Sequence, residues 1–286
     1  MVDALVSEGF SARMMAAIGR TGPLCAGIDP SASLLDAWGL SDDVAGIREF
    51  GARCVDAFAG VVPVVKPQVA FFERFGSAGI AALETLIKDA RDAGLLVIAD
   101  AKRGDIGSTM EAYASTWLDP RSPLVADAVT AMPYLGIGSL QPMFDLAAAH
   151  GRGVIVVVRS SNPEGRALQE ALTESGGGPS VQDMLLAQIA ELNAGGLPLP
   201  GTAGAVVGAT LVPSAFPLGS LGGPILAPGV GAQGATASDV AHLFRGCGPG
   251  SVLASASRSV LAAGPDLTSL RAAALASRDQ MALALG

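Results

Sequence analysis

The residues best able to do chemistry lie in one short run, Asp100-Ala101-Lys102-Arg103-Gly104-Asp105-Ile106-Gly107-Ser108-Thr109, directly after the apolar stretch 95–99. Strand alternation puts Asp100 and Lys102 on the same face. An inward lysine beside a carboxylate in a dry pocket stays charged only because it is paired. A solvated surface ion pair is the plain alternative, and it fits poorly after five apolar residues. The pattern recurs upstream. Lys66 closes the apolar run Val62-Pro63-Val64-Val65-Lys66-Pro67-Gln68, and Asp29 closes Ala26-Gly27-Ile28-Asp29-Pro30. Three consecutive apolar runs thus end in charge, which packing alone does not explain.

A second signal comes late, in Pro228-Gly229-Val230-Gly231-Ala232-Gln233-Gly234-Ala235. It contains G-x-G-x-x-G, but it follows the seventh apolar run rather than the first, and no acidic residue lies at the offset a dinucleotide site needs. The eighth run ends in Ser255-Ala256-Ser257-Arg258. Backbone amides of such a turn, with the fixed charge of Arg258, make a phosphate site. A glycine-rich turn without a ligand is the bland alternative.

The elements that must position these residues are short and apolar, as expected for strands buried on both faces of a parallel sheet. They fall at 24–29, 62–67, 95–102, 128–133, 154–160, 205–209, 225–228 and 252–257. Helical patterns fall at 7–19, 47–60, 80–93, 107–117, 139–150, 181–193, 237–244 and 267–285. In 80–93, Ile80, Leu83, Ile87 and Ala90 form one apolar face, and Gly94 stops the helix. Eight strand–helix alternations predict a single (β/α)8 TIM barrel over residues 1–286, with an extra N-terminal helix. Long connections at 30–46 and 162–180 follow the first and fifth strands, on the face where barrel active sites lie, and are lid candidates.

Composition narrows the chemistry. A net charge of −8 argues against broad nucleic-acid binding. No run approaches the ~18 apolar residues of a membrane helix. The start of the chain lacks the cationic and apolar regions of a secretory signal. Cys25, Cys54 and Cys247 are scattered and odd in number, which fits reduced thiols in a cytoplasmic protein. His150 and His242 are the only histidines, and both lie in helical patterns, so a histidine-rich metal site is excluded. The chemistry falls to lysines, carboxylates and backbone amides.

Taken together, Asp-x-Lys-x-x-Asp-Ile after strand three, Lys66 after strand two, and Pro-Gly-x-Gly-x-Gln-Gly before a late arginine resemble orotidine 5′-phosphate decarboxylase. Arg159-Ser160-Ser161-Asn162-Pro163 and the long first loop resemble its bacterial type 2 branch. One departure is Ala235, where many members carry a second glycine. The resemblance implies loss of CO₂ from orotidine 5′-monophosphate to give UMP, the last step of de novo pyrimidine synthesis, without metal or organic cofactor. It also implies an alternating charged array of Lys66, Asp100, Lys102 and Asp105, with Lys102 protonating C6. Asp105 and Thr109 would come from the partner subunit of a homodimer. Asp29 and Lys66 would bind ribose hydroxyls, Ser161 would read the pyrimidine edge, and Gln233, Gly234, Ala235 and Arg258 would hold the phosphate.

Three alternatives remain open on residues alone. The 3-keto-L-gulonate 6-phosphate decarboxylases share a similar Asp-x-Lys-x-x-Asp pattern but use magnesium, which calls for another carboxylate; the Glu73 region is the only nearby source. A Schiff-base aldolase on Lys102 or Lys66 would need a neutral lysine, which flanking aspartates oppose. A barrel that only binds nucleotides would have no use for so costly a charge cluster.

Overall fold

The chain folds around a closed barrel, seen in a computed structural model that describes residues 8–175, 177–197, 201–231 and 234–286. The eight parallel strands are β1 (Leu24–Ile28), β2 (Val64–Pro67), β3 (Leu96–Arg103), β4 (Ala128–Ala131), β5 (Gly153–Arg159), β6 (Ala203–Val207), β7 (Ile225–Pro228) and β8 (Val252–Ala256). They pair in chain order, and β8 returns to β1. Parallel neighbours need crossover connections, which α-helices supply except between β6 and β7, where only the short turn Leu218–Ser220 intervenes. α1 (Phe10–Thr21) precedes β1, and α2 (Ala32–Ala37) and α3 (Val44–Phe58) lead to β2. α4 (Ala70–Glu73) and α5 (Gly76–Asp92) lead to β3, α6 (Gly107–Leu118) to β4, and α7 (Gln141–Ala149) to β5. α8 (Arg166–Gln169) and α9 (Val181–Glu191) follow β5, α10 (Ala237–Leu243) follows β7, and α11 (Arg258–Leu261) and α12 (Leu267–Leu285) follow β8. None of the helices among the described residues is long and apolar enough to cross a membrane.

The barrel lumen shows why these short apolar runs become strands. Each strand sends one side chain into a shared inner layer: Cys25, Val64, Ile98, Ala128, Ile155, Val206, Leu226 and Leu253. Phe10, Met14 and Ile18 of α1 pack under that layer and plug the N-terminal mouth of the barrel. The remaining apolar faces meet the helices in a second, larger core. Two residues further along four of the strands the same inward parity reaches Lys66, Asp100, Thr130 and Ser255, all of them buried. The lumen thus passes from an apolar floor to a polar ceiling within one strand period.

The expected element boundaries hold to within a few residues, and the differences have causes. Asp29, Ser160 and Ser257 leave the ladder just past the strand ends, where their side chains take other partners. α5 starts before the predicted 80–93 and ends where expected, with Gly94 at φ +80, a conformation only glycine adopts cheaply. The 30–46 connection is not a loose lid. Ser31 caps α2, Leu35 is buried, and Trp38 stacks on Phe50 with ring centroids 4.1 Å apart while its indole N–H donates to the Leu261 carbonyl at 3.0 Å.

α1 is also held electrostatically. Arg13 Nη1 lies 2.7 Å from Oδ1 of Asp127, whose Oδ2 accepts the Val97 amide at 3.0 Å. The Asp127 side chain is only 5% exposed, so removing it strands a backbone donor and an arginine together. Asp127→Ala should lower the unfolding free energy by about 3 kcal/mol, measured by urea denaturation; a change within error would show that the plug needs no ionic latch.

Candidate active site

At the C-terminal mouth, the Asp100 carboxylate is the hub. Its Oδ2 accepts from Lys66 Nζ at 2.9 Å and from Gln68 Nε2 at 2.9 Å. Its Oδ1 accepts from Lys102 Nζ at 2.7 Å and from Thr130 Oγ1 at 2.8 Å. Burial by itself would raise the Asp100 pKa; the two ammonium groups and their hydrogen bonds outweigh it and hold the carboxyl well below the usual range. Burial likewise disfavours a charged Lys66, yet Asp100, then Asp29, keep it protonated above the ordinary lysine range. The site therefore holds an ionised Asp100 carboxylate against a protonated Lys66, with the Lys102 Nζ on its other oxygen.

Lys102 reaches Asp100 by a route other than simple strand alternation. It is the one non-glycine residue with positive φ among the described residues, at +48. Between the pairs Ala99↔Val129 and Arg103↔Ala131 the β3–β4 register shifts. The kink turns the Lys102 ammonium back over Asp100 and leaves its side chain 44% exposed to the cavity. Arg103 then leaves the site: its guanidinium donates to the Ala101 carbonyl at 2.8 Å, pairs with Glu73 and lies 5.6 Å from the Tyr113 ring centroid. Glu73, the carboxylate that a magnesium-dependent site would have recruited, is thus committed to Arg103 and does not line the cavity.

A cavity of about 360 Å³ opens above the hub, lined by Asp29, Lys66, Gln68, Asp100, Lys102, Ser161 and Arg258 among others. Asp29 accepts a hydrogen bond from the Ser257 hydroxyl, and its second oxygen, Oδ1, is buried without a partner among the described residues. Gly27 makes that contact possible, because a Cβ there would sit 2.6 Å from Ser257 Cβ. Ser161 sits on a wall fastened from both sides. Gln169 accepts from the Ser160 amide at 3.0 Å and donates to its hydroxyl at 2.7 Å. Arg159 donates to Gln182 at 2.7 Å and to the Val212 carbonyl at 2.9 Å.

The other expected site residues divide. Arg258 opens α11 and lines both this cavity and an adjoining groove with Asp29, Gln68 and Lys102. Gly229 and Val230 line the cavity, whereas Gly234 and Ala235 form the tight return of that loop, with the Gly234 amide donating to Gly231 at 2.9 Å and the Gly231 amide to Ala235 at 3.2 Å. Gln233 lies outside the described residues. Asp105 and Thr109 do not line the cavity of their own chain; Asp105 Oδ1 accepts the Ile106 amide at 2.8 Å instead. Gln68 and Thr130 are hub residues that the motifs did not single out. Gln68 follows Lys66 by two, the spacing that returns to the same strand face, while Thr130 offered only a lone hydroxyl in an apolar strand.

Comparisons with known proteins place the whole chain. A family model described as "Orotidine 5'-phosphate decarboxylase / HUMPS family" matches residues 22–273. The chain is 54% identical over 267 residues to an orotidine 5′-phosphate decarboxylase of Salinispora tropica, covering 93% of this chain and 95% of that one. The chain belongs to the orotidine 5′-phosphate decarboxylase family. A corresponding protein of Streptomyces coelicolor is 54% identical over 268 residues, with 93% of this chain and 95% of that one covered. A solved structure from Streptomyces avermitilis, described as a candidate orotidine 5′-phosphate decarboxylase, aligns with a TM-score of 0.91 at 50% identity over 97% of this chain and 96% of that one. A Leishmania donovani OMP decarboxylase aligns with a TM-score of 0.75 at 28% identity, over 96% and 98%. Family membership thus agrees with the barrel and the motifs.

The hub makes a pH prediction. Because the folded-state pKa of Asp100 is depressed, its contribution to stability is present above the unfolded carboxyl pKa and is lost as pH falls. The stability difference between the wild type and Asp100→Asn should be flat from neutral pH to about pH 5 and shrink below about pH 4. Urea titrations at stepped pH measure it; a difference that grew on acidification would contradict the depressed pKa.

Proposed function

We propose that this chain converts orotidine 5′-monophosphate to UMP and CO₂, the reaction for which its Salinispora and Streptomyces relatives are named, with Lys102 as the proton donor. One observation carries the reading: a buried, ionised Asp100 held between Lys66 and Lys102 at the barrel mouth. Breaking the bond between C6 and its carboxylate leaves the electron pair on C6, a vinyl carbanion with little resonance relief. CO₂ departs neutral. The Lys102 ammonium stabilises the carbanion, then passes one proton to C6 and recovers it from solvent. Asp100, beside the departing carboxylate, disfavours the ground state, and Lys66 keeps Asp100 ionised.

The remaining residues bind. The buried Oδ1 of Asp29, without a partner among the described residues, accepts from a ribose hydroxyl, with Lys66 as the companion donor. Ser161 reads the pyrimidine edge from the wall beyond β5. Arg258, with the 228–235 loop that includes Gln233, Gly234 and Ala235, holds the phosphate, whose distant binding energy closes loops around the substrate. The mechanism calls for no metal or organic cofactor. Asp105 and Thr109 complete the array of a second copy in a homodimer. Ile106, Met132, Tyr134 and Leu135 support this: they lie around the Asp105 loop with large exposed apolar surfaces, Tyr134 at 78%. Three free cysteines, two of them buried, fit a cytoplasmic setting.

Incubation of orotidine 5′-monophosphate with the enzyme should bleach its ultraviolet absorbance equally with and without EDTA. Loss of activity on chelation would favour a magnesium-dependent reaction, and no change in either sample would favour a binding protein. Lys102→Ala should abolish turnover in a folded protein, and near-wild-type rates would sink the assignment. Mixed Asp100→Ala and Asp105→Ala subunits should regain about a quarter of wild-type activity, since half the dimers are hybrids with one intact site of two. Absence of rescue would place Asp105 in its own chain's site or outside catalysis.

A further inference from the structure

Among the groups around Asp100, Thr130 is buried to 1% exposure and can reach no substrate, yet it touches both residues on which the chemistry depends. Three residues of β3, Asp100 to Lys102, bulge across a stretch where β4 offers Thr130 alone, between the pairs Ala99↔Val129 and Arg103↔Ala131. The ladder is broken there, and the Thr130 hydroxyl fills the gap. Its directions follow from the partners. The Lys102 amide can only donate, and does so to Oγ1 at 3.0 Å. An ionised carboxylate can only accept, so the hydroxyl proton goes to Asp100 Oδ1 at 2.8 Å.

We infer that Thr130 is a positioning residue for decarboxylation: its hydroxyl locks the left-handed Lys102 backbone and the Asp100 carboxylate into one closed ring. Lys102 is tethered at both ends, by its amide to Thr130 and by its ammonium to the same Oδ1 that Thr130 holds. Without the hydroxyl the strained φ at Lys102 loses the bond that offsets it, and the backbone can relax to an extended form that swings the ammonium away from the cavity. Asp100 would keep Lys66 and Gln68 on Oδ2, so the hub persists while Lys102 drifts. The inference rests on the proposed roles of Asp100 and Lys102.

Thr130→Val keeps the shape and removes the hydroxyl, whereas Thr130→Ser keeps the hydroxyl and removes a methyl group. The four proteins to compare are the wild type, both variants, and Lys102→Ala as the control for the underlying reading. Thr130→Val should lose about 10- to 100-fold in kcat, with affinity for UMP, which lacks the reacting carboxylate, held within about threefold by its phosphate and ribose contacts. Thr130→Ser should recover most of the kcat. If Thr130→Val does not fold, Thr130→Ala should show the same kcat loss with UMP binding retained. Wild-type kcat in Thr130→Val alongside a dead Lys102→Ala overturns the inference and leaves the proposed function standing. An active Lys102→Ala overturns the function itself. A serine variant as slow as the valine one, or equal losses in kcat and UMP affinity, would reduce Thr130 to packing and overturn the inference.

Discussion

A carboxylate cannot be carried into the mouth of a narrow apolar barrel without partners, and the architecture of the catalytic end follows from that constraint. Asp100 takes four donors drawn from three strand ends and the turn after β2. Each of those donors needs its own support. Lys66 is buried and owes its charge to Asp100 and Asp29; Lys102 owes its direction to a strained backbone; Thr130 fills the break that the strain leaves. Removing Asp100 would leave the buried Lys66 ammonium without its carboxylate partner, which is costlier than never having built the cluster. The site is therefore a single electrostatic unit, ordered before substrate arrives.

A regular strand could not have made it. Parity delivers Lys66, Asp100 and Thr130 to the same inward layer, one step above the apolar floor of Val64, Ile98 and Ala128. Under strict alternation Lys102 would belong to the next layer up, away from the hub. The shift in β3 brings it back. A similar shift between Val157 and Arg159 in β5 turns Arg159 out to α9, where it braces the wall that carries Ser161. Irregularity appears where the barrel stops being a scaffold and starts to aim side chains.

Much of this was legible in the residues alone, because the signals were local. Asp29, Lys66 and Asp100 end apolar runs, and a charged strand end in a parallel barrel has few structural uses. The order and number of strands followed from short apolar runs separated by amphipathic helices. What escaped was set by register. Thr130 is one hydroxyl in Ala-Val-Thr-Ala, ordinary until β3 is laid beside it with its extra residues. Asp100 and Lys102 were paired correctly on an argument from alternation that the kink at Lys102 replaces. The first long connection reads as a lid candidate from its length and its place after a strand at the active-site face; the burial of Leu35 and Trp38 that fixes it depends on α3 and α11 from elsewhere in the chain.

That last contact has a mechanical consequence. The Trp38 indole grips the carbonyl of Leu261, and Leu261 closes the single turn that Arg258 opens, so the rim beside Asp29 and the rim beside Arg258 are one stiff jamb. Across the cavity, residues 162–175 beyond β5 are largely solvated, held near Ser161 by the side-chain amide of Gln169. On the proposed reading, phosphate and sugar would meet a wall that does not yield, and any adjustment to the nucleotide would fall to the solvated side beyond β5.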